Sequence, residues 1–365
     1  MSDDGSEQFP PGWVPDAAPV PRRRPTGNRR WVVPLAVLGV VAVVVAAVLI
    51  VTDDEPSPAT VAGTSTPSSA PAAPAPPSGD PTAIASATDT GPVKIIASDM
   101  TCQPWREIQS TVASAQSGGW DQRDPSIPGA AWTPQLKAQY EQVGTALRAA
   151  ADQAVALARQ TPNRVLRELY EVFTAYGRAY AAALTNYQPP QDAYARANTA
   201  ALQAISEICA AADGGSAITR ATQVPPAAPP TAPAPAGDPA NPERFIPQAG
   251  PTCARWVPAE GALATAVQPW LDLNPDVPVA QWTPDQRAAL QSAAAQFTAA
   301  ATTLEADGRG SGTPQLEDFA VLAAQYFRAF NAAVPNYSAA DRNLGMVGLR
   351  LDTLVSSACQ AAAAG

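Results

Sequence analysis

The chain has 365 residues, a formal net charge of −9, 40 prolines, 4 cysteines and no histidine. Such a length suits two or three domains. The missing histidine excludes any mechanism that needs an imidazole base, nucleophile or ligand, and proline at about twice its ordinary share marks much of the chain as linker.

Residues 1–30 are polar and rich in proline and arginine, so they predict a disordered tail with polyproline II character. Two readings of the tail stand: its arginines set membrane orientation, or its prolines dock a cytoplasmic partner with an aromatic groove. Residues 31–51, WVVPLAVLGVVAVVVAAVLIV, carry no charge. At helical rise they cross about 30 Å, the hydrocarbon thickness of a bilayer. Arg22, Arg23, Arg24, Arg29 and Arg30 precede the span, and Asp53, Asp54 and Glu55 follow it. The positive-inside rule places the N-terminus in the cytoplasm and the rest outside, at the plasma membrane. VTDDEP after the span lacks a small-x-small cleavage pattern, which favours an uncleaved signal anchor over a signal peptide.

Residues 52–93 are rich in Pro, Ala, Ser and Thr and predict a disordered linker. Fully extended, it reaches on the order of 130 Å. Two helical domains follow, 94–215 and 248–365, separated by a proline-rich linker at 216–247.

These domains read as a duplication. Residues 132–209 align without a gap on 282–359: Trp132-Thr133-Pro134 falls on Trp282-Thr283-Pro284, Asn186-Tyr187 on Asn336-Tyr337, and Cys209 on Cys359. Cys102-x-x-Trp105 and Cys253-x-x-Trp256 open the two copies. Four cysteines outside the membrane form disulfides by default. Three connectivities exist, and duplication favours Cys102–Cys209 with Cys253–Cys359. A zinc site is the weaker alternative, since it draws all four thiolates from separated domains.

Within each copy the apolar residues recur at helical spacing. Thr133-Pro134 and Thr283-Pro284 open helices, threonine capping and proline taking the first turn; Thr161-Pro162 is read the same way. Shorter helices are expected around Trp105–Ala115 and Pro258–Leu271, and last helices near Gln191–Ala212 and its counterpart. The fold class is all-α: a transmembrane helix and two duplicated, disulfide-stapled antiparallel four-helix bundles.

Candidate binding residues are Tyr176 and Arg178 with their counterparts Tyr326 and Arg328, where an arginine beside stacking rings suits an anion or a partner carboxylate. The alternative is that the rings are core and the arginine pairs with a helix-face acid such as Glu171. Trp132 and Trp282 are either an exposed recognition face or seals between loop and bundle. No nucleophile elbow, phosphate loop, HExxH or CxxC motif occurs. The expectation is therefore a non-enzyme without cofactor or metal. Loop carboxylates such as Asp124 leave a wall hydrolase as a lesser reading.

The Pro/Arg-rich head, Val/Ala-rich span, Ala/Pro/Thr linker and alanine-heavy exterior resemble the single-pass, proline-rich conserved membrane proteins common in actinobacteria, mycobacteria especially. The resemblance covers the whole plan and implies an envelope location. The function expected is an extracytoplasmic binding or scaffolding protein of the cell envelope, with an envelope protein or wall polymer as partner and the bilayer engaged through 31–51. Binding of a small apolar or lipid-like ligand inside the bundles is the alternative. Nucleic acid is not an expected partner, as no basic stripe occurs.

Overall fold

A computed structural model describes residues 83–364. The tail at 1–30, the span at 31–51 and most of the linker at 52–93 lie outside the described residues. Among those described, no helix is long and apolar enough to cross a membrane.

The described residues form nine α-helices and no strand. In the first half these are α1 (Cys102–Gln116), α2 (Pro134–Gln160), α3 (Arg164–Ala183) and α4 (Asp192–Asp213). A short α5 (Ser216–Ala221) follows. The second half repeats the order with α6 (Pro251–Leu271), α7 (Pro284–Arg309), α8 (Pro314–Ala333) and α9 (Arg342–Ala363). In each half the long helices pack in sequence, and the first also lies against the fourth.

Side-chain caps set three of these helix starts. The side chains of Thr133 and Thr283 accept from the backbone N–H of Leu136 and Gln286, and a proline takes the first turn after each. At the start of α3 the cap is Asn163 rather than Thr161. Asn163 Oδ1 accepts from Leu166 N at 3.0 Å, while Thr161 is held away by Asp99, its hydroxyl donating at 2.6 Å. In the second half α6 begins at Pro251 and runs through Pro258, which the sequence suggested as its start. The turn before Pro258 is anchored by disulfide-bonded Cys253 and buried Trp256.

Both halves carry a disulfide, Cys102–Cys209 and Cys253–Cys359, closing loops of sequence separation 107 and 106. Each ties the first helix of its half to the fourth. Closing loops of this length removes entropy from the unfolded chain, worth about 4–5 kcal/mol in the chain-entropy account.

The halves are joined rather than strung. The last helices, α4 and α9, form the most extensive helix pair among the described residues. Arg164 of α3, 2% exposed, donates from Nε and Nη2 to both carboxylate oxygens of Asp318 in α8, at 2.7 and 3.0 Å. Its Nη1 donates to the main-chain oxygens of Asp89 and Gly91. Glu168, fully buried beside this pair, receives Nη2 of Arg167 at 3.2 Å. Burial and the neighbouring Asp318 carboxylate push the Glu168 carboxyl well above its ordinary range.

The two segments expected as linkers contribute to this joint. At 83–93, the backbone N–H of Ala85 donates to Arg159 O, Ser86 and Val93 are buried, and Asp89 meets Arg164. Just beyond, the main chain of Ile96 is hydrogen-bonded to Tyr326 Oη of the second half. Within 216–247, Arg220 forks onto both oxygens of Asp341 at 3.1 Å, and Val224, Ala227, Phe245 and Ile246 are buried. A few apolar side chains and two arginines dock stretches whose bulk composition is that of solvated chain.

Candidate functional site

The structure separates the members of the Tyr/Arg pairs. Two residues on a helix stand about 200° apart, so Tyr176 and Tyr326 enter the core while Arg178 and Arg328 face outward. Both tyrosines are fully buried, and burial pushes both phenols up. Arg178 pairs with Asp152 at 2.6 Å and also donates to Ala240 O. Arg328 pairs with Glu305 at 2.7 Å. The two guanidiniums therefore have protein carboxylates already, and neither shares a clamp with its paired tyrosine ring. Glu171, the acid suggested for Arg178, instead lies near Arg167.

The tryptophans are seals in both halves. The indole N–H of Trp132 donates to Ile127 O, and that of Trp282 to Val277 O, each at 3.0 Å. Each pins its own entry loop onto the following helix. Trp132 is half-buried with its ring 4.0 Å from Tyr140 and 5.1 Å from Tyr187. Trp282 is buried, 5.7 Å from the Tyr337 ring.

Around these seals the halves diverge. In the first, Gly129 N donates to Tyr187 O at 2.9 Å. A Cβ at 129 would sit 3.3 Å from Tyr187 N, tighter than an ordinary contact, so glycine favours the approach. Tyr187 Oη donates to Pro125 O. Arg123 lies 3.8 Å over the Trp120 ring, donates to Trp120 O and bonds Asp192 at 2.6 Å. Loop, ring and ion pair close the corner.

The second half has Val279, Leu273, Leu290 and Arg342 at the positions of Gly129, Arg123, Tyr140 and Asp192. With valine there, no Val279–Tyr337 backbone bond forms among the described residues. The corner is open, as a cavity of about 200 Å³ lined by Leu273, Val277, Val279, Trp282, Tyr337 and Arg342. Burial pushes the Tyr337 phenol up to about 12. Arg342 now supplies the cation, 4.8 Å over the Trp270 ring, donating to Trp270 O and Leu271 O at 3.3 and 2.8 Å. It has no carboxylate within salt-bridge distance among the described residues. The neighbouring Asp341 is held by Arg220 and by Ser338, whose hydroxyl donates to it at 2.8 Å.

Sequence reasoning named Trp282 but missed Arg342, Leu273 and Val279. The signal lay in the alignment, at positions where the halves differ in charge or size rather than where they agree. Asp124 is exposed, its carboxylate taken up by Ser126 backbone and hydroxyl. Those bonds lower its pKa, the opposite of what a catalytic acid needs. No group of three or more metal-ligating side chains occurs among the described residues.

The family described as "Mycobacterial ESX-1 associated protein" matches residues 84–364 of this chain. An uncharacterized protein of Mycolicibacterium smegmatis (strain MKD8) is 41% identical over 348 residues, covering 94% of this chain and 89% of the relative. No solved structure matches.

Proposed function

The chain belongs to the family of mycobacterial ESX-1 associated proteins, and from that membership we propose a non-enzymatic, membrane-anchored binding or scaffolding protein that works beside the ESX-1 secretion system. Residues 31–51 hold it in the plasma membrane with the N-terminus cytoplasmic. Outside stand two duplicated four-helix bundles, each with its own staple. The bilayer is one partner, a secretion-system or envelope protein the second, and the proline-rich tail offers a site for a cytoplasmic one.

The observation that carries this reading is the joint between the halves. Arg164 and Asp318, the α4–α9 packing and the docked linkers join the two modules into one compact unit. A joined unit suits a part that holds others at fixed spacing, because little order is lost on binding. Disulfides fit an oxidising exterior. The alternative of a ligand within the bundle cores is disfavoured, since rings such as Phe173, Phe297 and Phe330 fill them.

Two measurements test the reading. Protease added outside intact cells should cut the chain between 52 and 82 and release a stapled fragment. Cross-linking of the full-length chain in cells should capture ESX-1 components, and its deletion should impair export through that system. Unchanged export together with no captured component removes the proposal.

A further inference from the structure

We infer that the open corner of the second half is a binding site for a small monocarboxylate carrying one compact apolar group, with the apolar group between Trp282, Leu273 and Val279 and the carboxylate on Arg342. The inference is independent of the scaffolding reading, because the cavity faces neither the disulfides nor the Arg164–Asp318 joint.

Three observations carry it. First is size: the cavity measures about 200 Å³, and an engineered apolar cavity of about 150 Å³ in another protein holds benzene. A phenyl or branched alkyl group fits, whereas a drug-sized molecule needs about 300 Å³ or more.

Second is charge. Arg342 spends two of its N–H groups on the carbonyls of Trp270 and Leu271. A guanidinium has five, so donors remain, and no protein carboxylate among the described residues lies within salt-bridge distance of it. The one nearby acid in sequence, Asp341, is already neutralised by the Arg220 fork. Glu207 lies within charge range of Arg342 without forming an ion pair with it, so the one, partly offset cation matches a single negative charge; a phosphate dianion would keep a surplus. Arg342 is also the first residue of α9, and the positive end of that helix favours the same sign of ligand.

Third is the comparison within the molecule. At the matched corner Asp192 occupies the place of Arg342 and itself serves as the carboxylate, bonded to Arg123 at 2.6 Å. There Gly129 draws the loop in, and Tyr140 fills the floor. The first half has thus built into its own chain an anion and an aromatic ring. The second lacks both and leaves room for a ligand that brings them.

Calorimetric titration of the full-length chain with 3-phenylpropionate tests the chemistry, and acetyl-Ala-Ala-Phe distinguishes a peptide chain end from a free acid as its source. The expected result is saturable one-to-one binding of at least one acid. Its amide, and the variant Arg342→Gln, should each bind at least tenfold more weakly. Arg342 also bonds two carbonyls, so Ala339→Phe provides a second variant: it fills the cavity from an exposed position, leaves the guanidinium in place and should abolish binding without lowering the melting temperature. Absence of binding by both acids at millimolar concentration overturns the inference. So does equal binding of acid and amide, or full binding by Ala339→Phe.

Discussion

The two tryptophan corners solve one packing problem with opposite parts. In the first half the cation comes from the loop, as Arg123, and the carboxylate from the helix, as Asp192. In the second the helix supplies the cation, as Arg342, and the loop supplies only Leu273. Both guanidiniums end over the equivalent tryptophan ring and bond its carbonyl. The capped indole is therefore the shared feature, and the carboxylate is an addition that one half has and the other does not. Where the addition is missing, a cavity stands in its place.

The same contrast between matched positions orders the expected effects of mutation. The largest falls at the joint. Glu168 and Asp318 are matched positions, yet Arg164 corresponds to Pro314, so Arg164 is bonded to Asp318 and also lies 3.9 Å from Glu168, which Arg167 bonds as well. Arg164→Ala leaves two buried carboxylates without that cation and should cost about 3–5 kcal/mol. Urea unfolding, expected to be one transition in the parent, should split into two as the halves uncouple. A single transition at unchanged midpoint would show that α4–α9 packing alone joins them.

The staples come next. Cys102→Ser with Cys209→Ser, or Cys253→Ser with Cys359→Ser, should each lower stability by about 2–5 kcal/mol in thermal unfolding. Because the loops are of nearly equal length, the two losses should agree. A clear inequality would mark one half as resting more on its packed core than the other.

A buried acid separates the halves in their response to pH. Asp352 corresponds to Leu202 in the first half. Burial, reinforced by the Glu260 carboxylate, pushes Asp352 up to about 8. A carboxyl raised on folding binds more protons in the native state, so its contribution is whole below about pH 4, the ordinary value. It then fades as pH rises to about 8. Asp352→Leu should remove one proton's share of that slope, on the order of 1 kcal/mol per pH unit. Glu168 and Glu171 are raised also, so the slope should shrink rather than vanish. An unchanged slope in denaturant midpoints between pH 5 and 8 would place the titration elsewhere.

What the sequence showed and what it hid divide along physical lines. The long helices were legible because Thr133 and Thr283 cap them and their apolar residues recur at helical spacing. The start of α6 was not, because Pro258 reads as a first turn unless Cys253 and Trp256 are seen to anchor the turn before it. The Tyr/Arg pairs looked like a site through closeness in sequence, although two residues along a helix point apart. The docking of 83–93 and 216–247 depends on contacts such as Arg164 with Asp318 and Arg220 with Asp341, which composition does not encode.

The smallest effect tests the corner comparison most directly. If Gly129 closes the first corner by allowing contact with Tyr187, then Gly129→Val should open it. The added side chain meets the Tyr187 backbone and Cβ, so the loop must retreat and lose the Gly129–Tyr187 hydrogen bond. Overpacking of this kind costs about 1–3 kcal/mol, and the half-buried position of Gly129 puts the expected loss near the lower figure. The sharper reading is local. Trp132 should become more accessible to a neutral quencher such as acrylamide, while the Arg123–Asp192 pair holds. Because Asp192 still supplies the carboxylate, the opened corner should not take up 3-phenylpropionate. Adding Asp192→Arg, Arg123→Leu and Tyr140→Leu to Gly129→Val would reproduce the second corner's residues around Trp132, and acquired binding would show that those residues make the site. If Gly129→Val alone leaves quenching unchanged, the glycine is not what holds the corner shut. The difference between halves then rests on Tyr140 and the ion pair.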